Sequence, residues 1–245
     1  MVLGCRSADR DAAAAAAIRE DVPGAAVAVL EVDVADLSSV RNAVRTLGGQ
    51  PLGALVCNAG VQITRGAQRS HRWVRATFAT NHLGHFALIR ALLGQLVEPA
   101  RIALVSSGTH PGPLRSFGFP APRWEDPRAL ADPALSSLGG GSGRDGPVRY
   151  STSKLANIYT AYELARRVRD RRIAINAFDP GLMPEIGLAR DYPAAIRRLH
   201  ARIGPLLVRA VPGIRSVDQA AAALTSLITT PSSAGSVAGT SRAAS

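Results

Sequence analysis

Short apolar runs alternate with longer stretches of helical spacing along this chain. The runs cover residues 1–5, 25–30, 54–57, 101–105 and 173–178, and polar or turn residues bound each one. They lack a regular in–out alternation, which predicts strands buried on both faces. Between them, residues 12–20, 37–47, 72–96 and 151–165 predict helices, and 217–227 a last one. In 37–47, Val40, Val44 and Leu47 fall on one side, and Gly48-Gly49 closes the helix. Asp21-Val22-Pro23-Gly24 stops the helix before it. Strand–helix alternation with continuous apolar strands predicts an α/β fold with a doubly wound parallel sheet. No repeat or linker divides it, so one domain over residues 1–230 is expected. A further helix is expected around 194–202. Residues 231–245 are small and polar and read as a disordered tail. Residues 111–148 are rich in Pro, Gly and Ser and read as a functional or disordered insert.

Composition narrows the function classes. Aromatic residues are 4% of the chain, so the core has to be built from Ala, Val, Leu and Ile. The net charge is +11, but the arginines are scattered and no aromatic platform is interleaved with them. That reads as an arginine-biased composition, with no nucleic-acid partner expected. Cys5 and Cys57 each lie in a strand-like run and read as buried free thiols in a reducing compartment. No run is long enough to span a membrane, and no signal segment opens the chain, so a cytoplasmic protein is expected.

One stretch stands out chemically. Lys154 is the only lysine, among 29 basic residues. A chain that uses arginine everywhere else keeps one compact, titratable ammonium at this place. Tyr150 lies four residues before it, on the same face of a helix. A phenol beside an ammonium is expected to have a lowered pKa and to serve as a proton donor. Other weak signals follow strand ends or interrupt a helix. They are Asn58-Ala59-Gly60, Asn81-His82-Leu83-Gly84, Ser106-Ser107 and Pro180-Gly181. The C-terminal edge of an open α/β sheet is where ligands bind.

Taken together, these residues resemble the short-chain dehydrogenase/reductase family over nearly the whole chain. Cys5-Arg6-Ser7, Asn58-Ala59-Gly60, residues 78–86, 105–110 and 150–157, and Asp179-Pro180-Gly181-Leu182-Met183-Pro184 carry the resemblance. Within the family they look most like the branch of retinol dehydrogenases and protochlorophyllide reductases. The resemblance implies a Rossmann-like fold and an oxidoreductase. Such an enzyme would move a hydride between NADP(H) and a carbonyl or alcohol substrate.

The resemblance also implies roles for single residues. Tyr150 would exchange a proton with the substrate oxygen. Lys154 would hold the nicotinamide ribose and keep the phenol acidic. Ser107, rather than Ser106, would stabilise charge on the same oxygen. Asn81 would kink its helix and hold a water behind Lys154. Asn58, Ala59 and Gly60 would let the backbone approach the adenosine half, and Pro180, Gly181 and Leu182 would face the nicotinamide amide. Arg6 with Ser7 would favour the 2′-phosphate of NADP, and Asp33 with Val34 would contact the adenine. No metal is expected, and assembly as a homo-oligomer is a further expectation.

The chain departs from the family pattern at its start. The family begins with a strand, a glycine-rich phosphate loop and a helix. This chain begins at what corresponds to the second strand, so an N-terminally incomplete fold is expected. The missing strand would lie between those holding Cys5 and Cys57. One reading places Met1 too late in a longer product. The alternative to an active oxidoreductase is a catalytically inactive or truncated family member that serves as a binding or regulatory protein. Glu185 is a lesser departure, standing where small residues are usual.

Overall fold

The computed structural model describes residues 1–63, 76–116, 118–132, 134–138, 145–183, 208, 211–230 and 240–242. The first half holds β1 (Val2–Cys5), α1 (Ala8–Asp21), β2 (Ala28–Glu31), α2 (Leu37–Leu47) and β3 (Leu52–Cys57). Next come α3 (Ala76–Phe78), a π-helical turn (Ala79–Leu83), α4 (Gly84–Leu92) and β4 (Leu96–Val105). The second half adds α5 (Pro127–Ala131), α6 (Asp145–Arg167), β5 (Ile173–Asp179), α7 (Val217–Thr229) and β6 (Thr240–Arg242).

All strand pairs are parallel, and helices connect them. β3, β4, β5 and β6 form one sheet in that order. β4 and β5 form its core, because their continuous apolar residues must be covered on both faces. Ile102, Leu104 and Ile175 are at most 1% exposed and pack with Ile89 of α4 and with Ile158 and Ala161 of α6. Burying each large aliphatic side chain contributes roughly 1.5–3 kcal/mol, so this cluster is the main source of stability here.

β1 and β2 form a separate two-stranded sheet. Among the described residues no strand joins β1 to β3, the two strands that the sequence places on either side of a missing one. The halves meet instead through helices. α2 packs on α4, and Val32, Val40 and Ala43 cluster with Ala87 and Leu88. α2 forms because Asp36 caps it, its carboxylate accepting from the Ser38 amide at 2.8 Å, while Gly48 in the left-handed region ends it. Ala43, rather than Val44, takes the fully buried position beside Val40 and Leu47. Gly84 makes the contact tight: a Cβ there would lie 1.8 Å from the Val34 carbonyl oxygen.

Several elements differ from the sequence expectation. The helix expected over 72–96 is described from Ala76. It is broken by the π turn at Ala79–Leu83 and gives way to β4 at Leu96. α6 begins at Asp145, six residues before the expected start. The insert over 111–148 is tied to α6 rather than loose where it is described. Thr152 Oγ1 accepts from the Arg123 amide at 2.9 Å, and the buried Arg149 donates to the Leu138 carbonyl at 3.0 Å. Thr240–Arg242, inside the stretch read as a tail, pairs with β5 as β6. The helix expected over 194–202 and Glu185 lie outside the described residues.

Candidate active site

The C-terminal ends of β3, β4 and β5 converge with α6 and α7 on a cavity of about 510 Å³. Asn58, Ala59, Gly60, Ser107, Tyr150, Lys154, Pro180 and Gly181 line it. Eight of the residues to which the resemblance gives a role therefore share one space. α7 contributes Ala220, Ala221 and Leu224, and Met183 adds a further apolar wall. The sequence marked α7 as a helix but carried no signal that it would face this cavity.

α6 places Tyr150 and Lys154 one turn apart, with 7% and 3% of their surfaces exposed. Lys154 Nζ lies 5.8 Å from the Tyr150 ring centroid and donates to the Val105 carbonyl at 2.9 Å. Among the described residues no carboxylate forms an ion pair with Lys154. Burial without a counter-ion pushes its pKa down to about 8. The phenol moves the other way. Burial pushes Tyr150 up to about 12, a hydrogen bond with Ser107 pulls it down, and the Asp179 carboxylate adds to the rise. The lowering expected from the neighbouring ammonium is not seen: desolvation of the phenolate is the largest effect in this cavity.

The two serines divide their tasks. Ser106 is 1% exposed, and its hydroxyl donates to the Lys154 carbonyl at 2.8 Å, so it is used in packing α6 on β4. Ser107 faces the cavity and the phenol. Gly108 follows it under Asp179, where a Cβ would meet the carboxylate at 2.7 Å. The insert reaches the same place: the Phe119 ring lies 6.2 Å from that of Tyr150.

Asn81 sits fully buried in the π turn, where the Gly84 amide bonds to the Ala79 carbonyl five residues back. Its side chain clamps the loop after β3. Oδ1 accepts from the Val61 amide at 2.8 Å, and Nδ2 donates to the Val61 carbonyl and to Ser153 Oγ, both at 3.0 Å. This holds Gly60 against the lysine: a Cβ there would lie 3.5 Å from Lys154 Nζ and 3.6 Å from Asn81 Oδ1.

At the third strand end, Gly181 has φ +83° and lies so close to the Gly213 carbonyl that a Cβ would be 2.9 Å away, which requires glycine. Asp179 Oδ1 accepts from the Gly181 amide at 3.1 Å and shapes the turn. Leu182 bonds along Ile214 and does not line the cavity.

Four expected cofactor residues lie just after the strands of the other sheet. Arg6 is exposed after β1, and Ser7 precedes α1 without a side-chain cap bond. Asp33 closes its own turn, Oδ1 accepting from the Ala35 amide at 2.9 Å, and the Val34 carbonyl is covered by Gly84. None of the four lines the cavity. The thiols differ too: Cys57 is buried and pushed up to about 12, while Cys5 is only partly buried.

Comparisons with known proteins bear on the family and the fold. The short chain dehydrogenase family model matches residues 1–117. The chloroplastic protochlorophyllide reductase of Cucumis sativus is 29% identical over 95% of this chain and 60% of its own length. Dehydrogenase/reductase SDR family member 13 of Bos taurus is 30% identical over 87% of this chain and 52% of its own. The chain thus spans between half and two thirds of these relatives. Among solved structures, a blue fluorescent protein from a metagenomic library, in complex with NADPH, aligns over 98% of this chain and 85% of its own. Its TM-score is 0.65 and its identity 20%, a likeness of fold.

Proposed function

Because the chain belongs to the short-chain dehydrogenase/reductase family, we propose that it is an NADP-dependent oxidoreductase acting on a carbonyl or alcohol. The observation that carries this reading is the shared cavity of Ser107, Tyr150 and Lys154 under the glycine of Asn58-Ala59-Gly60. The bare backbone at Gly60 beside Lys154 Nζ, with a hydroxyl, a phenol and an ammonium that pairs with no carboxylate among the described residues, suits the ribose and nicotinamide end of such a cofactor. Lys154, Pro180 and Gly181 would hold that end, with Leu182 supporting the turn, and Asn58, Ala59 and Gly60 would let the backbone approach the adenosine half. Arg6, Ser7, Asp33 and Val34 would hold the adenosine end. The cofactor supplies or accepts the hydride.

The chain's own groups handle the proton. With its pKa held high, Tyr150 keeps its proton at neutral pH and can give it to a developing alkoxide. Ser107 bonds the phenol and can share its hydroxyl with the same substrate oxygen, stabilising negative charge where it forms. Lys154, charged below about pH 8, places a positive field beside the phenol and favours the phenolate left after transfer. Ala220, Ala221, Leu224 and Met183 exclude water from the apolar side. A cytoplasmic homo-oligomer is part of the proposal. No described helix is long and apolar enough to cross a membrane.

The separation of the β1–β2 sheet from β3–β6 favours a second reading, a member that binds a partner or ligand without turnover. Titration with NADPH, followed by carbonyl reduction with wild type and Tyr150→Phe, separates the two. The oxidoreductase reading expects binding and turnover, with turnover lost in the variant. Absence of NADPH-dependent turnover would favour the second.

A further inference from the structure

Lys154 does not stand alone behind the cavity. The Val105 carbonyl that accepts from its Nζ at 2.9 Å also accepts from Asn157 Nδ2 at 3.2 Å. Asn157 is three residues further along α6 and has no exposed surface. The same Nδ2 donates to the Asn81 carbonyl in the π turn at 2.9 Å. Both amide hydrogens thus point at carbonyl oxygens. A flipped amide would set its oxygen against both carbonyls, so Oδ1 must be the atom facing His82 Nδ1 at 3.0 Å. His82 has to carry a proton on Nδ1 to complete that bond. Burial lowers its pKa, so the neutral ring keeps its one proton there. The ring lies between Phe78, at 5.0 Å, and Phe86, at 6.2 Å, which fixes its plane.

We infer that Asn157 and His82 are positioning residues that hold the Lys154 ammonium in place through the Val105 carbonyl they share. The inference rests on the oxidoreductase reading for its meaning in turnover, but its geometry stands apart from it. A carbonyl oxygen has two acceptor directions. Asn157 takes one at Val105 and leaves the other to Nζ. It also ties that carbonyl to the turn carrying Asn81, so β4, α6 and the π turn move as one piece. His82 acts one step further back, by keeping the Asn157 amide turned the right way.

Because the chain has one lysine, [ε-13C]lysine labelling of the full protein gives one lysine signal, and its pH titration reads Lys154 directly. Wild type should titrate near 8. In His82→Leu and Asn157→Ala the ammonium is released into the better hydrated cavity, and the midpoint should rise by ~1 unit or more towards the ordinary lysine value. His82→Gln keeps a donor for Asn157 Oδ1 and should stay within ~0.3 unit of wild type. In turnover, kcat should fall ~10–100-fold in the first two variants with little change in the carbonyl KM, and stay within ~threefold in His82→Gln. Wild-type titration in both His82→Leu and Asn157→Ala would overturn the inference, as would a His82→Gln variant that behaves like His82→Leu. If His82→Leu does not fold, Asn157→Ala against His82→Gln carries the same contrast. If wild type turns over no carbonyl substrate, the oxidoreductase reading fails, and the titration alone decides the positioning claim.

Discussion

Gly84→Ala inverts an ordinary expectation and tests how the two halves of the molecule meet. Gly84 is the first residue of α4, with helical backbone (φ −63°, ψ −42°). In a helix interior, alanine is favoured over glycine by about 0.8–1.0 kcal/mol, so a free site would be stabilised. Here the new Cβ would lie 1.8 Å from the Val34 carbonyl oxygen, 2.6 Å from its carbon and 3.0 Å from Val34 Cβ. Carbon–oxygen contacts of this kind close to about 3.3 Å, so backbone has to move by roughly 1.5 Å. Neither side is a flexible side-chain end. Overpacking costs about 1–3 kcal/mol, more where backbone must shift, which exceeds the helical gain. A net loss of ~2 kcal/mol corresponds to a fall in Tm of roughly 4–8 °C for a chain of this size. Gly94→Ala is the matched control, since nothing lies within 4 Å of a Cβ there. It should be neutral or more stable by up to about 1 kcal/mol. Thermal unfolding by circular dichroism reads both. A Gly84→Ala variant as stable as Gly94→Ala would refute the packing of α4 on the turn after β2.

Other outcomes follow from the site. Asp179→Asn removes the carboxylate that raises the Tyr150 phenol, so its pKa falls below about 12. The proton-donating form is then lost at lower pH, and the alkaline limb of the carbonyl-reduction profile should move towards neutrality. The Lys154 pKa is lowered from 10.5 to about 8 in the fold, so between those values the unfolded chain binds more protons and stability rises with pH. Lys154→Met should abolish turnover yet be ~3 kcal/mol more stable at pH 7, an advantage that disappears by about pH 10.5 in denaturant titrations. A thiol reagent should label Cys5 in the native protein and Cys57 only after unfolding, read by mass spectrometry of the two peptides.

Much of this was legible in the residues, for identifiable reasons. β3, β4 and β5 announce themselves as apolar runs because both faces are covered. Tyr150 and Lys154 announce themselves because a helix brings residues four apart together and the lysine is unique. A break in the helix at Asn81 is legible, since Asn81-His82-Leu83-Gly84 interrupts it. Its π geometry is not, because what widens the turn is tertiary: Asn81 bonds to Val61 and Asn157 on other elements. The rise of the phenol's pKa is not legible, because proximity of an ammonium is visible in spacing, whereas desolvation is a property of the assembled cavity. The apolar wall from α7 depends on how a distant helix folds back. Arg6 and Asp33 lie where strand ends place them, but whether they meet the cavity depends on how the two sheets are joined.

Whether the phenol moves a proton in a nicotinamide-dependent reaction decides what this site does. The direct measurement is single-turnover reduction of a carbonyl substrate by NADPH, with wild type and Tyr150→Phe, each checked for NADPH binding. The structure predicts turnover by wild type and a loss of ~10²–10⁴-fold in the variant, with binding retained. A variant that binds NADPH and reduces the carbonyl as fast as wild type would contradict it.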